Sequence, residues 1–514
     1  MNKPKFFLLV ICGYANSVFS QSNSDSIIRI ADLRYHSDFE KNAINNFIKY
    51  GKDTFNLFLA IDDKMSLNES SSHYGMYKKV FDELRQKNIE SKKNTSKIKL
   101  SYSTIHSRFL KKYNDNEYFP VMFQTGTYNC VSASMLYALA FDELKIPYKV
   151  MVSSNHVYLI ANPGSNSIVI ETTNPGFEKA IFTGEFKQQY VNYLRSSKLI
   201  SEEDYKNKSI EEIFEEKFNA VKVADFWNLP GFQYYNKALA ELQMNDIEES
   251  LTLCQKAYFF FPDQRVKALL NNVLLLKIEK CAFNKVSDID YLAQFSRFES
   301  TDLNAVVGIF NNIIAHFLQF TDKDSYCDSM YQRLISQISD KNVKEEISFA
   351  YNMQMSYRYI NSEKVEKYIV KALEIKSNHH DANIIMESFL NRKLYGISNP
   401  NALLDTINQV EMKYNFKEIA PIIKDHKLMA YLKIASDQYV QKKISEGDRY
   451  LQEFEKNCSS PIKNQMLEYQ IENTYLTIAA FYFNKGNNSK SKSYVDRGLK
   501  YLPNSIRLSE CGMN

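Results

Sequence analysis

The chain has 514 residues, with 64 Lys and Arg against 60 Asp and Glu and a formal net charge of +4. So small an excess over so long a chain excludes the basic footprint of a nucleic-acid binder, and no nucleic-acid partner is expected. At 44% hydrophobic and 24% charged residues the chain is globular rather than disordered, and its 14 Gly and 11 Pro favour long helices over many tight turns.

Residues 1–20 read as a signal peptide. Lys3 and Lys5 form a basic start, Phe6 to Ile11 open an apolar run, and Val18 and Ser20 fit the small-residue positions before a cleavage at Gln21. The run is too short to span a bilayer, and Val10 and Ile11 before Cys12 are not the small residues of a lipoprotein signal. No later stretch is long and apolar enough to cross a membrane. The expectation is an exported protein, periplasmic or extracellular, with no transmembrane segment once the signal is removed. The remaining cysteines, Cys130, Cys254, Cys281, Cys327, Cys458 and Cys511, show no paired spacing and predict no disulfide framework.

Residues 21–94 read as a helical extension. "DFEKNAINNFIKY" and "YKKVFDELRQKN" carry apolar residues at three- and four-residue spacing. "IDDKMSLNESSSHYG" reads as a loop between them, and the lysine-rich "NIESKKNTSK" as a solvated break. Residues 95–228 read as a second domain. "YSTIHSRFLKKY" is helical there, with His106 as a surface or packing residue. "CVSASMLYALAFDEL" is a helix with an apolar face of Val131, Ser134, Met135, Ala138, Leu139 and Leu144. "PYKVMVS", "HVYLIAN" and "SIVIETT" predict three strands. The turn "NPGSNS" makes the last two an antiparallel hairpin.

From 229 to 514 strand signals nearly vanish. "YYNKALAELQMNDIEESLTLCQKAYFFFP" and "YLTIAAFYFNKGNNSKSKSYVDRGLKYLP" align on Pro262 and Pro503, matching Tyr234 with Tyr475, Ala238 with Ala479, Ser250 with Ser491 and Ala257 with Gly498. Small residues at these places let two helices approach closely. The pattern resembles the tetratricopeptide repeat, and a degenerate copy around Phe349 and Ala372 fits it too. Such an array predicts a protein partner held on its concave face. His379 and His380 lie in a joining loop without a supporting cluster, so no metal site and no cofactor are expected.

The chemistry concentrates between Gln124 and Gly176. A thiolate nucleophile needs a histidine to shuttle its proton and gains from a helix N-terminus. Cys130 opens a helix behind the cap residue Asn129. His156 opens one strand and Glu171 ends the next, so a hairpin sets them side by side. A carboxylate there holds one imidazole nitrogen and aims the other at Cys130. The Cys130 backbone N–H and the Gln124 amide are candidate donors to an oxyanion.

This order resembles the transglutaminase-like branch of the papain-like cysteine hydrolases. There a cysteine opens a core helix, a histidine starts one strand and an acid ends the next. The family's "LGIP" entry to the histidine strand is "LKIP" here, from Leu144. Glu171-Thr172-Thr173-Asn174 stands where the family commonly has "DPTN". The resemblance implies Cys130 as nucleophile, His156 as base, Glu171 as orienting residue in place of the usual aspartate, and Gln124 as the oxyanion glutamine. Asn174 is the fallback orienter. It implies an α+β papain/transglutaminase-like N-terminal domain, ahead of the all-α repeat array. The implied activity is acyl transfer on an amide or peptide bond of a protein or peptide substrate, as a peptidase, amidase or transglutaminase. The alternative is a catalytically inactive domain serving with the repeats as a binding or scaffold module.

Overall fold

The computed structural model describes residues 26–153, 156–164, 167–171, 187–188, 191, 195, 200–219, 222–298, 302–320, 322–414, 416–459 and 462–513. The signal-peptide reading and Asn174 lie outside the described residues. The chain divides into two compact units, Met1–Thr301 and Asp302–Asn514.

In the first unit, helices α1 (Asp38–Tyr50), α2 (Thr54–Leu59), α3 (Leu67–Gln86), α4 (Asn94–Phe109) and α5 (Phe119–Gln124) precede the central helix α6 (Cys130–Glu143). A reading of residues 61–75 as loop is corrected at Leu67, where α3 begins. Ser66 Oγ accepts from the Glu69 N–H, and the Glu69 carboxylate accepts from the Ser66 N–H at 3.0 Å, a reciprocal cap that starts the helix. The expected solvated break also shortens: Ile89 is buried, and α4 starts at Asn94.

Helix α6 exceeds the amphipathic expectation. Every residue from Cys130 to Phe141 is buried, because α2, α4 and α5 pack around it on the sides that the sheet leaves open. Strands β1 (Lys112–Tyr113) and β2 (Thr127–Tyr128) form a short parallel pair just ahead of it. Strands β3 (Tyr148–Val152), β4 (Val157–Ala161) and β5 (Ile168–Ile170) are antiparallel neighbours; β6 (Lys222–Ala224) adds to β3, giving the order β5-β4-β3-β6. Alternation splits the sheet between two cores. Val150, Val152, Val157, Leu159 and Ile170 join the core of α6, whereas Met151, Tyr158, Ile160 and Val169 pack with Ile200 and with Ile213 and Phe214 of a later helix.

These elements correct the fold class expected from the sequence. The described residues are 72% helical, with six short strands, so the unit around Cys130 is mostly helical and not an α+β papain-like domain. The reason lies in the flanks. The chemistry-bearing stretch supplies strands of three to five residues, while the polar segments before it fold into the helices that bury α6.

After β5 come α7 (Glu202–Asn207) and α8 (Ile210–Asn219), and after β6 the helices α9 (Leu229–Gln243), α10 (Ile247–Phe260), α11 (Gln264–Lys280) and α12 (Asp290–Phe295). The α9–α10 hairpin is built into this unit. Buried Gln233 accepts from the Phe119 N–H at 2.6 Å and donates to the Phe58 carbonyl at 3.1 Å. Lys256 and Glu40, both buried, form an ion pair at 2.5 Å, joined by the Tyr234 hydroxyl at 3.0 Å and by His36.

The second unit holds α13 (Leu303–Leu318), α14 (Asp324–Gln337), α15 (Lys341–Arg358), α16 (Val365–Ile375), α17 (His380–Tyr395), α18 (Pro400–Lys413), α19 (Ala420–Val440), α20 (Ile444–Asn457), α21 (Gln465–Asn484), α22 (Asn488–Leu499) and α23 (Ile506–Met513). The α19–α20 and α21–α22 hairpins share one internal geometry with α9–α10. Each turns on a left-handed residue, Lys442, Gly486 and Asn245 respectively. Each closes with a 2.9 Å bond across the turn, Lys443 N–H to Gln438, Asn487 N–H to Tyr482 and Asp246 N–H to Glu241. The Ser250 hydroxyl donates to the Ala238 carbonyl at 2.8 Å, and Ser491 donates to Ala479 at 2.9 Å. Ala435 and Gly447 hold the same relative positions in α19–α20, a hairpin the sequence alignment missed because glycine replaces serine.

Candidate active site

The approach to Cys130 is fixed by backbone geometry. Gly126 adopts φ +79°, and a Cβ there would fall 2.9 Å from Lys111 Cβ. The close approach lets the Lys111 N–H donate to the Gly126 carbonyl at 2.8 Å and aligns β1 with β2. Asn129 then caps α6. Its Oδ1 accepts from the Ser132 N–H at 2.9 Å, and its Nδ2 donates to the Asp115 and Glu117 carbonyls at 3.1 and 2.6 Å. Cys130 is thus the first residue of a well-capped helix, with a backbone N–H that has no intrahelical acceptor.

The sheet delivers the partners. Ser134 Oγ donates to the Val157 carbonyl at 3.2 Å, tying α6 to the start of β4 next to His156. The Glu171 carboxylate lies 2.8 Å from His156 Nε2. The Cys130 thiol also interacts with the ring and favours its charged form. Cys130 is 8% exposed and His156 5% exposed, so both side chains are shielded from water. Burial opposes a charged ring at His156, but the Glu171 carboxylate and the Cys130 sulfur offset it and hold its pKa well above the usual histidine value.

Three of the residues singled out from the sequence, Cys130, His156 and Glu171, are therefore brought together. Gln124 is not. It ends α5, which packs against α6, but its side chain is exposed and makes no hydrogen bond among the described residues.

An aromatic wall was not foreseen. The Tyr102 hydroxyl donates to the Glu171 backbone carbonyl at 3.2 Å, and the Tyr137 hydroxyl donates to the Tyr102 carbonyl at 3.3 Å. Tyr102 stacks on both His106 and Tyr137. Burial first, and then the Glu171 charge, push the Tyr128 hydroxyl up in pKa. The i,i+4 pair Tyr102 and His106 in "YSTIHSRF" is the only sequence trace of this wall.

Among the described residues, no group of three or more His, Cys, Asp or Glu side chains is arranged to hold a metal ion, and no helix is long and apolar enough to cross a membrane. No protein-family model matches the chain, and no curated protein matches it.

Proposed function

We propose that the chain is a cysteine-dependent acyl-transfer enzyme of the transglutaminase-like or peptidase type, acting on an amide or peptide bond. The observation that carries this reading is the His156–Glu171 hydrogen bond at 2.8 Å beside Cys130, whose sulfur favours the charged ring, at a capped helix start. His156 holds the thiol proton while sulfur attacks the carbonyl carbon, forming the C–S bond. The carbonyl oxygen becomes an oxyanion beside the Cys130 N–H. His156 passes the proton to the departing amine as the C–N bond breaks, leaving a thioester. Water then releases an acid, or a second amine forms a new amide, and the thiol is restored. Glu171 holds the ring orientation and balances the imidazolium. The reading includes export, which rests on the pattern from Lys3 to Ser20, and recruitment of a protein substrate or partner by the helical hairpins.

The test is labelling of the full chain by an iodoacetamide probe with a peptide aldehyde as competitor. Cys130→Ala should abolish the competed signal, and His156→Asn should slow it. A competed signal that survives in C130A defeats the reading. The burial of Cys130 and the exposure of Gln124 favour a second reading, a non-catalytic binding or scaffold module. It expects a wild-type thiol no faster than that of H156N and no competition by the aldehyde.

A further inference from the structure

His156 is held on its ring side by Glu171 and on its backbone side by something else. At the end of the β3–β4 ladder the Ser153 N–H donates to the His156 carbonyl at 2.9 Å, and the Ser153 hydroxyl approaches the same oxygen at 3.4 Å. The Ser153 carbonyl in turn accepts from Arg265 Nη1 at 2.8 Å. Arg265 lies in the first turn of α11, more than a hundred residues further along the chain.

The guanidinium is itself fixed from several directions. Asp263 Oδ1 accepts from Arg265 Nε at 2.9 Å and from the Arg265 N–H at 3.0 Å, capping α11. The second Asp263 oxygen takes Lys222 Nζ at 3.0 Å, from β6, the strand that pairs with β3. The Asp263 side chain is 5% exposed. Burial opposes its charge, but Arg265 and Lys222 more than offset that and hold its pKa below the usual carboxylate value. The Phe261 ring lies under the guanidinium at 5.9 Å, and it packs against Phe232 of α9. A planar guanidinium seated on a buried carboxylate offers a donor of fixed direction, which a flexible ammonium does not.

We propose that Arg265 is a positioning residue for His156, so that the helical segment after the first hairpin completes the candidate active site. The inference rests on the proposed acyl-transfer reading. Arg265 touches no reacting atom. It sets the Ser153 carbonyl, Ser153 sets the His156 backbone, and the imidazole keeps its place between Glu171 and Cys130. Misplacement of a reacting group by about 1 Å is enough to cost up to about 10²-fold in rate.

The experiment compares the full chain with R265A, R265K and H156N, reading the alkylation rate of Cys130 by iodoacetamide from pH 5 to 10, with thermal unfolding alongside. R265A should react about 10-fold more slowly at neutral pH, and its pH profile should move toward that of H156N. R265K should recover part of the rate, because an ammonium can still donate to the Ser153 carbonyl. A purely structural role for Arg265 would lower the melting temperature and leave the profile in place. An R265A profile that coincides with wild type, while H156N differs, overturns the inference alone. Coincidence of wild type and H156N overturns the inference together with the reading beneath it. If R265A does not fold, R265K carries the decision: a slower, shifted profile supports the clamp and a wild-type profile overturns it.

Discussion

Glu171 Oε2 stands 2.8 Å from His156 Nε2, although the two residues are diagonal neighbours across the β4–β5 hairpin. The register pairs Leu159 with Ile170, so one further step sets Glu171 against Tyr158, with His156 two residues beyond it. Diagonal neighbours are about 7–8 Å apart, against about 5 Å for opposite ones. The additional methylene of glutamate, relative to aspartate, covers part of that gap. Glu171→Asp should therefore slow Cys130 alkylation at neutral pH by about 10-fold. E171Q, which keeps the length but not the charge, should slow it by about 10²-fold or more through loss of the favoured tautomer. An E171D variant as fast as wild type would remove the argument from length.

The buried pair of Glu40 and Lys256 carries a stability prediction. Lys256 is fully buried, and its ammonium is matched by the Glu40 carboxylate at 2.5 Å. Removing one partner of such a pair costs about 3–5 kcal/mol, whereas replacing both by apolar groups costs little. Glu40→Ala should destabilise by that order in urea unfolding, and the double variant E40L/K256M should recover most of the loss. The sign with pH follows from the same network. Burial opposes charge at Glu40, but His36 and Lys256 bring its pKa down to about 2, so its contribution is present above 4.5 and fades as pH falls toward 2. Glu249 and Glu40 raise His36 to about 9, so its contribution is full below 6.5 and is lost as pH rises through 9. Burial pushes Lys256 down, which opposes that alkaline loss only where the ammonium itself titrates. Unfolding free energy should thus decline on both flanks, and His36→Asn should flatten the alkaline one. An unchanged alkaline slope in H36N would show that the ring does not carry the effect.

The parts of the site that were legible in the sequence lie close together along the chain. Cys130, His156 and Glu171 sit within one helix and one hairpin, so their order and spacing determine their meeting. Strand signals from Val, Ile and Tyr placed β3, β4 and β5 for the same local reason. The strand β6 is three residues long and belongs to the sheet only through its pairing with β3. Gln124 lies exposed at a helix end, and sequence distance says nothing about exposure there. Arg265 reaches Ser153 from α11, a contact no local pattern announces. The all-round burial of α6 was hidden because a helix buried on every side has no amphipathic period to read.

Lys145 offers a stabilising change close to the site. It follows α6 with φ +54°, while its N–H donates to the Asp142 carbonyl at 3.2 Å and the Ile146 N–H donates to Phe141 at 2.8 Å. This is a helix-ending turn in which glycine is favoured, since a Cβ at positive φ costs about 1 kcal/mol. Lys145→Gly should raise stability by about that amount, less the unfolded-state entropy that glycine adds. The melting temperature should rise by a few degrees while Cys130 reactivity stays unchanged. A lower melting temperature in K145G would mean that the lysine side chain contributes more than its backbone strain costs.

The shared hairpin geometry predicts different responses at one repeat position. In α21–α22, Ser491 donates to the Ala479 carbonyl, and Ser491→Ala should cost about 1 kcal/mol, the worth of a single hydrogen bond. In α19–α20 the place belongs to Gly447, where an added Cβ would meet two ring carbons of Tyr439 at 2.6 and 2.8 Å. Tyr439 cannot move aside without loss. It is fully buried, and its hydroxyl is engaged by Asp448 and by Tyr494 at 2.9 Å. Gly447→Ala should therefore cost more than S491A, about 1–3 kcal/mol by overpacking, although alanine is the better helix former. Urea unfolding of the two variants side by side decides the matter. If G447A equals or exceeds wild type in stability, the tight contact at Gly447 is not what holds α20 against α19.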